Sequence, residues 1–177
     1  MDLVPQISTL DKVLDDHAAD LGSDFTAYRN HAYRVVNICV ALSPDGFAHL
    51  EKVAIAAAFH DLGIWTNHTF DYIPPSVALV RAHLIASGQA AWTSEITEMI
   101  LQHHKISPYQ GDRLVEEFRR ADWVDVSGGL IRFGLPRQHI KKILSAWPDC
   151  GFHKRLLQLG LHRFRTHPLH PLPMIRL

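Results

Sequence analysis

The chain has 177 residues, 47% hydrophobic and 20% charged, with 18 Lys/Arg balanced by 18 Asp/Glu. That length and mix fit one soluble globular domain with a real core. They exclude a membrane-spanning protein, since no apolar run approaches the roughly 20 residues a span requires, and a disulfide scaffold, since Cys39 and Cys150 make no framework.

The start, Met1-Asp-Leu-Val-Pro-Gln, lacks the basic and apolar regions of a signal peptide, so a cytoplasmic protein with reduced thiols is expected. Charge is unevenly placed. Of the 18 acidic residues only Asp149 lies after position 136, whereas eight of the 18 Lys/Arg do. Such a basic end can attract a nucleotide, nucleic acid or an anionic membrane surface. Docking against the acidic body of the same chain is the expectation, because no DNA- or RNA-binding motif accompanies it.

Helical spacing recurs almost throughout. Leu10, Val13, Leu14, Ala18 and Leu21 mark a first helix that Gly22 ends. Ser23 or Asp24 can cap a second, whose stripe Tyr28, His31, Val35, Ile38 and Leu42 faces inward. After the turn Ser43-Pro44-Asp45-Gly46 comes an apolar helix over about 47–62, then an aromatic loop from Trp65 to Pro75. Pro75 opens a helix through His83 towards Gly88, and Thr93 or Ser94 caps the next, which ends at His103-His104. Asp112 opens the helix carrying Asp122, closed by Gly128-Gly129, and two more helices are expected near 136–146 and 152–165. The proline-rich end from His167 cannot be helical and is expected to lie extended. No alternating strand pattern occurs. The fold class is therefore all-α, a single helical bundle over 1–166 with a tail over 167–177.

The feature that carries chemistry is His60-Asp61, at the end of Val53-Ala-Ile-Ala-Ala-Ala-Phe-His-Asp-Leu-Gly63. Gly63 supplies a left-handed stop after that helix. A lone Asp in a buried helix costs several kcal/mol or forces neutralisation, and a cation would compensate it. His31 lies upstream on an inward stripe and Asp122 downstream on another helix. Two imidazoles and two carboxylates with open positions for water can hold a divalent metal: iron, manganese, zinc, nickel, cobalt or magnesium.

The segments Tyr28-Arg-Asn-His31-Ala-Tyr-Arg34-Val35, Ala57-Ala-Phe-His60-Asp61-Leu-Gly63 and Arg120-Ala121-Asp122-Trp-Val-Asp125 resemble the HD-domain metal-dependent phosphohydrolases, over roughly residues 24–130. The resemblance implies an all-helical enzyme in which metal-activated water cleaves a small-molecule phosphoester such as a nucleotide. His31, His60, Asp61 and Asp122 would be the first metal's ligands. In relatives with two ions, intervening histidines take the second, which here implicates His83 and His103 with a bridging Asp61. His104 would then reach substrate. Many such members continue the pair as His-Asp-x-Gly-Lys, with the lysine on phosphate; here Ile64 stands at that position. Arg34 and Lys105 are the nearest cations to replace it, and Trp65, Phe70, Tyr72 and Tyr109 are candidates to line a base pocket. Loss of that lysine, together with the presence of His83 and His103, also fits a non-haem di-iron oxygenase of the HD-like type. A third reading is a nucleotide-sensing module without catalysis.

Overall fold

Helix α3 (Phe25–Leu42) is the axis of the molecule, buried on nearly every face from Ala27 to Val40. It is covered on several sides, its buried polar residues included: it packs on α4 (Leu50–Phe59), on α8 (Arg113–Val126) and, less extensively, on α9 (Arg137–Ala146). A computed structural model describes residues 2–175. Among these the chain is helical without strands, as the periodicity predicts.

The other elements follow chain order. Helix α1 (Ser8–Asp16) buries Leu10, Val13 and Leu14 against α4, and a break at His17 separates it from α2 (Ala18–Leu21). The single helix expected here is thus two, followed by a short 3-10 turn whose Gly22 has φ +50°. Alanines 54 and 56–58 let α4 approach α1, α3, α6 and α7 closely. Helix α5 (Gly63–Thr66) occupies the start of the expected aromatic loop, and α6 (Ile73–Ala86) begins two residues before Pro75. Pro74 and Pro75 fall in its first turn, where no intrahelical N–H is needed.

Helix α7 (Thr93–Gln102) starts without a side-chain cap, whereas the Asp112 carboxylate accepts from Leu114 N at 2.7 Å and caps α8 as expected. Gly128 and Gly129 close α8 with φ +59° and +79°. Helix α10 (Phe152–Thr166) follows α9.

Gly63 is not a left-handed stop. It lies at negative φ in α5, and a Cβ there would stand 2.5 Å from Tyr72 O and 2.9 Å from Pro75 Cγ. The glycine is needed for close approach of α5 to the start of α6. The end segment is not simply extended either: it turns at residues 167–170 and 172–175 and buries Met174 against the core. Residues 176 and 177 of that tail lie outside the described residues. One docking contact of the basic end is plain: Arg155 of α10 meets Asp24 at 3.1 Å. No helix is long and apolar enough to cross a membrane among the described residues.

Candidate metal centre

Helix α4 ends at Phe59, with a last α-type bond from His60 N to Ala56 O at 2.9 Å. The bonds that follow, Leu62 N to Phe59 O and Ile64 N to Asp61 O, span three residues and tighten the turn. His60 and Asp61 therefore leave the helix end side by side and turn into the space between α3 and α8. His31 enters from α3, Asp122 from α8, and His103 and His104 from the turn after α7.

Three of these imidazoles are fixed in the same sense. His60 Nδ1 donates to Ala57 O at 2.9 Å, His103 Nδ1 to Ile100 O at 2.7 Å, and His31 Nδ1 to Asp125 Oδ2 at 2.7 Å. Each bond commits the ring proton to Nδ1 and leaves a lone pair on Nε2. The Nε2 atoms of His31 and His60 face each other at 2.9 Å. Asp61 Oδ2 lies 3.7 and 3.5 Å from them, and Asp122 Oδ1 3.7 Å from both. An ion with donors at about 2.1 Å sets neighbouring donors about 3.0 Å apart in an octahedron and about 3.4 Å in a tetrahedron. The spacings among His31, His60 and Asp61 approach that shell, and Asp122 Oδ1 lies equally close to both rings.

A second group adjoins the first. Asp61 Oδ1 lies 3.4 Å from His103 Nε2, and Asp61, His103 and His104 offer ligand atoms within 4.8 Å of one another. His104 Nδ1 stands 3.6 Å from Asp122 Oδ2, and its Nε2 is 2.6 Å from Tyr72 OH. Asp61 thus presents one oxygen to each group. Asp61 Oδ1 and both Asp122 oxygens are buried without a hydrogen-bond partner, a cost of several kcal/mol per ion unless positive charge compensates it. The donor set fits a divalent cation.

The protonation energetics agree. Burial opposes charge on both carboxylates, yet the surrounding imidazoles hold Asp61 well below and Asp122 below the usual carboxylate range. Burial likewise opposes charge on His60, but Asp61 and Asp122 outweigh it and push His60 up to about 9. These acids favour positive charge at the centre of the cluster. His104 goes the other way, down to about 4, through burial and the neighbouring His103.

The sequence-expected residues fare unequally. His31, His60, Asp61 and Asp122 converge, and His103 and His104 join them. His83 does not: its ring lies 5.1 Å from that of Phe59, and its charged neighbours are Lys12, Asp16 and His17. In the last turn of α6 it looks towards α1, and His104 takes the place expected of it beside Asp61. Arg34 is not available to a phosphate. It is 1% exposed, with Nε and Nη2 on Asp125 at 2.5 and 2.9 Å and Nη1 on Trp147 O at 3.0 Å. Lys105 holds the turn through its backbone, its carbonyl accepting from Arg119 Nη1 and Trp123 Nε1. Ile64, where many dinuclear relatives carry lysine, is packed in the core. Trp65 is a packing residue bonded to Asp24, Tyr109 lies by Glu116, and only Phe70 and Tyr72 come near the cluster's open side.

Sequence reasoning gave no role to Asp125. Its carboxylate joins His31 to Arg34, and His31 and Arg34 hold it down to about 2 against the effect of burial. The i, i+3 spacing from Asp122 puts both acids on one face of α8 and was the available signal. Phe152, opening α10, stacks on the His31 ring at 4.0 Å.

The HD-domain family model matches residues 28–127, which contain every residue of both groups. Searches of curated proteins and of solved structures give no match. With the match covering more than half of the chain and the His, His-Asp, Asp set converging in an all-α fold, the chain belongs to the HD-domain family.

Proposed function

We propose that the chain is a metal-dependent phosphohydrolase acting on a small phosphoester. The observation that carries this reading is the combination of three imidazoles locked with Nε2 lone pairs inward and buried carboxylate oxygens left unpaired. A bound divalent ion would acidify a water and draw charge from phosphoryl oxygens, and a pair of ions would do so at both the attacking and leaving sides.

The chain's own residues do the rest. Asp125 and Arg34 hold the His31 ring in place, while the carbonyls of Ala57 and Ile100 hold those of His60 and His103. Asp61 spans the two groups. His104 is the most exposed member, its side chain 15% accessible where the others are 4% or less. Substrate therefore meets the cluster past His104 and its partner Tyr72.

The test is a panel of phosphomonoesters and phosphodiesters offered to protein loaded separately with Mn²⁺, Fe²⁺, Zn²⁺, Ni²⁺, Co²⁺ or Mg²⁺. Turnover of at least one ester, lost in Asp61→Ala with the fold intact, is expected. Undiminished turnover in that variant removes the mechanism.

One observation favours a second reading, a di-iron oxygenase. Neither Ile64 nor the apolar recess beside His104 supplies a cation for phosphate among the described residues. Oxygen uptake by the iron-loaded protein on an organic substrate, with the phosphoester panel inert, selects it.

A further inference from the structure

Beside the cluster lies a cavity of about 160 Å³ whose lining is almost entirely carbon. Tyr72 and His104 line it, together with Val126 of α8, Leu156 of α10, and Leu172 and Met174 of the returning tail. No Lys, Arg, Asp or Glu does so among the described residues. The polar atoms of its three polar-tipped residues are already engaged: Tyr72 OH with His104 Nε2 at 2.6 Å, and Trp123 Nε1, which donates to Lys105 O at 3.1 Å. This is the side on which the cluster is least buried.

We propose that this cavity seats the non-reacting end of the substrate, and that this end is an uncharged hydrocarbon or aryl group. The phosphate end of the proposal rests on the phosphohydrolase reading; the apolar end rests on the cavity alone. An enclosed apolar cavity of about 150 Å³ accepts a benzene-sized guest; this recess of about 160 Å³, open on one side, has room for one ring or a short branched chain. A nucleobase is the wrong occupant. Its donors and acceptors would be desolvated with no partner, and sites lose far more affinity to unpaired polar groups than to a missing methylene. The tail thereby gains a purpose, since Leu172 and Met174 complete a wall that the helices leave open.

The test uses the full chain and two measurements. Fluorobenzene binding to the metal-free protein is followed by fluorine NMR. Phenylphosphonate and methylphosphonate, which are not hydrolysed, are titrated into the Mn²⁺-loaded protein, with adenosine monophosphate as a third ligand. Saturable fluorobenzene binding is expected, with phenylphosphonate at least about tenfold tighter than methylphosphonate, the return on burying one ring. Leu156→Trp, which fills the space, and Leu172→Gln, a neutral polar side chain at a half-exposed position, should abolish both the fluorobenzene signal and the phenyl preference. Methylphosphonate affinity should stay unchanged. Absence of fluorobenzene binding, equal affinity for the two phosphonates, or a preference for adenosine monophosphate overturns the inference. Fluorobenzene binding with no affinity for either phosphonate upholds the apolar seat and defeats the phosphoester reading.

Discussion

His31 and Asp125 are joined by a 2.7 Å hydrogen bond between Nδ1 and Oδ2, and the same carboxylate receives two donors from Arg34. The ring that presents Nε2 to the candidate metal centre is thus oriented by a buried ion pair from α3 to α8. Asp125→Asn should lower divalent-metal affinity about 10- to 100-fold, the usual cost of losing a partner behind a ligating histidine. It should also destabilise the fold by about 3–5 kcal/mol, because Arg34 is left buried without its counter-charge. Calorimetric metal titration and thermal unfolding check the two effects; affinity within twofold of wild type would remove Asp125 from this role.

Asp122 should tie stability to bound metal. Both its oxygens are buried without a hydrogen-bond partner, and the surrounding imidazoles alone compensate their charge and hold its carboxyl below the usual range. In metal-free protein, Asp122→Asn should therefore lower the melting temperature, since those imidazoles lose a buried counter-charge. With metal at about 100 times its Kd, wild type should gain about 2.7 kcal/mol, roughly 5–11 °C for a chain this size. The variant should gain almost nothing. Equal metal-induced shifts in both proteins would contradict the assignment.

Legibility in the sequence divides along a physical line. His31, His60, Asp61 and Asp122 were legible because residue type and order are enough to nominate a ligand set on buried helices. The orientation of a side chain around its helix was not. His83 lies in α6 and His103 directly after the neighbouring α7, yet His83 contacts Phe59 on the α1 side. Arg34 has the charge a phosphate needs, but a one-turn offset from His31 sends it to Asp125 instead. Gly63 has the composition of a helix stop, and only the tertiary contact with Tyr72 and Pro75 reveals a glycine required for space. The tail's return over the site rests on Met174 and Leu172, whose spacing in a proline-rich stretch carries no periodic signal.

The two explanations of Gly63 separate experimentally. A left-handed cap tolerates Asn better than Ala, whereas a close approach tolerates neither and rejects the larger side chain more. Gly63→Ala should cost about 1–3 kcal/mol as overpacking, and Gly63→Asn more. Chemical denaturation of the two variants decides it; a stable Asn variant would restore the cap.

Acid stability should carry the signature of Glu116. Burial opposes its charge, but Arg119, Arg120 and Tyr109 N hold the carboxyl down to about 2, and Arg119 in turn grips the Lys105 carbonyl after the His103-His104 turn. Its folded pKa is below its ordinary value near 4.5. The contribution is therefore complete above that pH and is lost as pH falls from there towards about 2. Allowing for solvent screening, it is of order 1 kcal/mol. Glu116→Gln should flatten the stability profile in that window; an unchanged slope would show that the contacts contribute nothing measurable.

The central claim is that His31, His60, Asp61 and Asp122 grip a cation in the heart of the bundle. The most direct measurement is elemental analysis of protein purified without chelator and dialysed against each candidate metal, for wild type and for folded His60→Ala and Asp122→Asn variants. The account predicts at least one tightly held divalent ion per wild-type chain and little or none in the variants. A wild-type protein that retains no divalent metal under any of these conditions, or variants that retain as much as wild type, would contradict it.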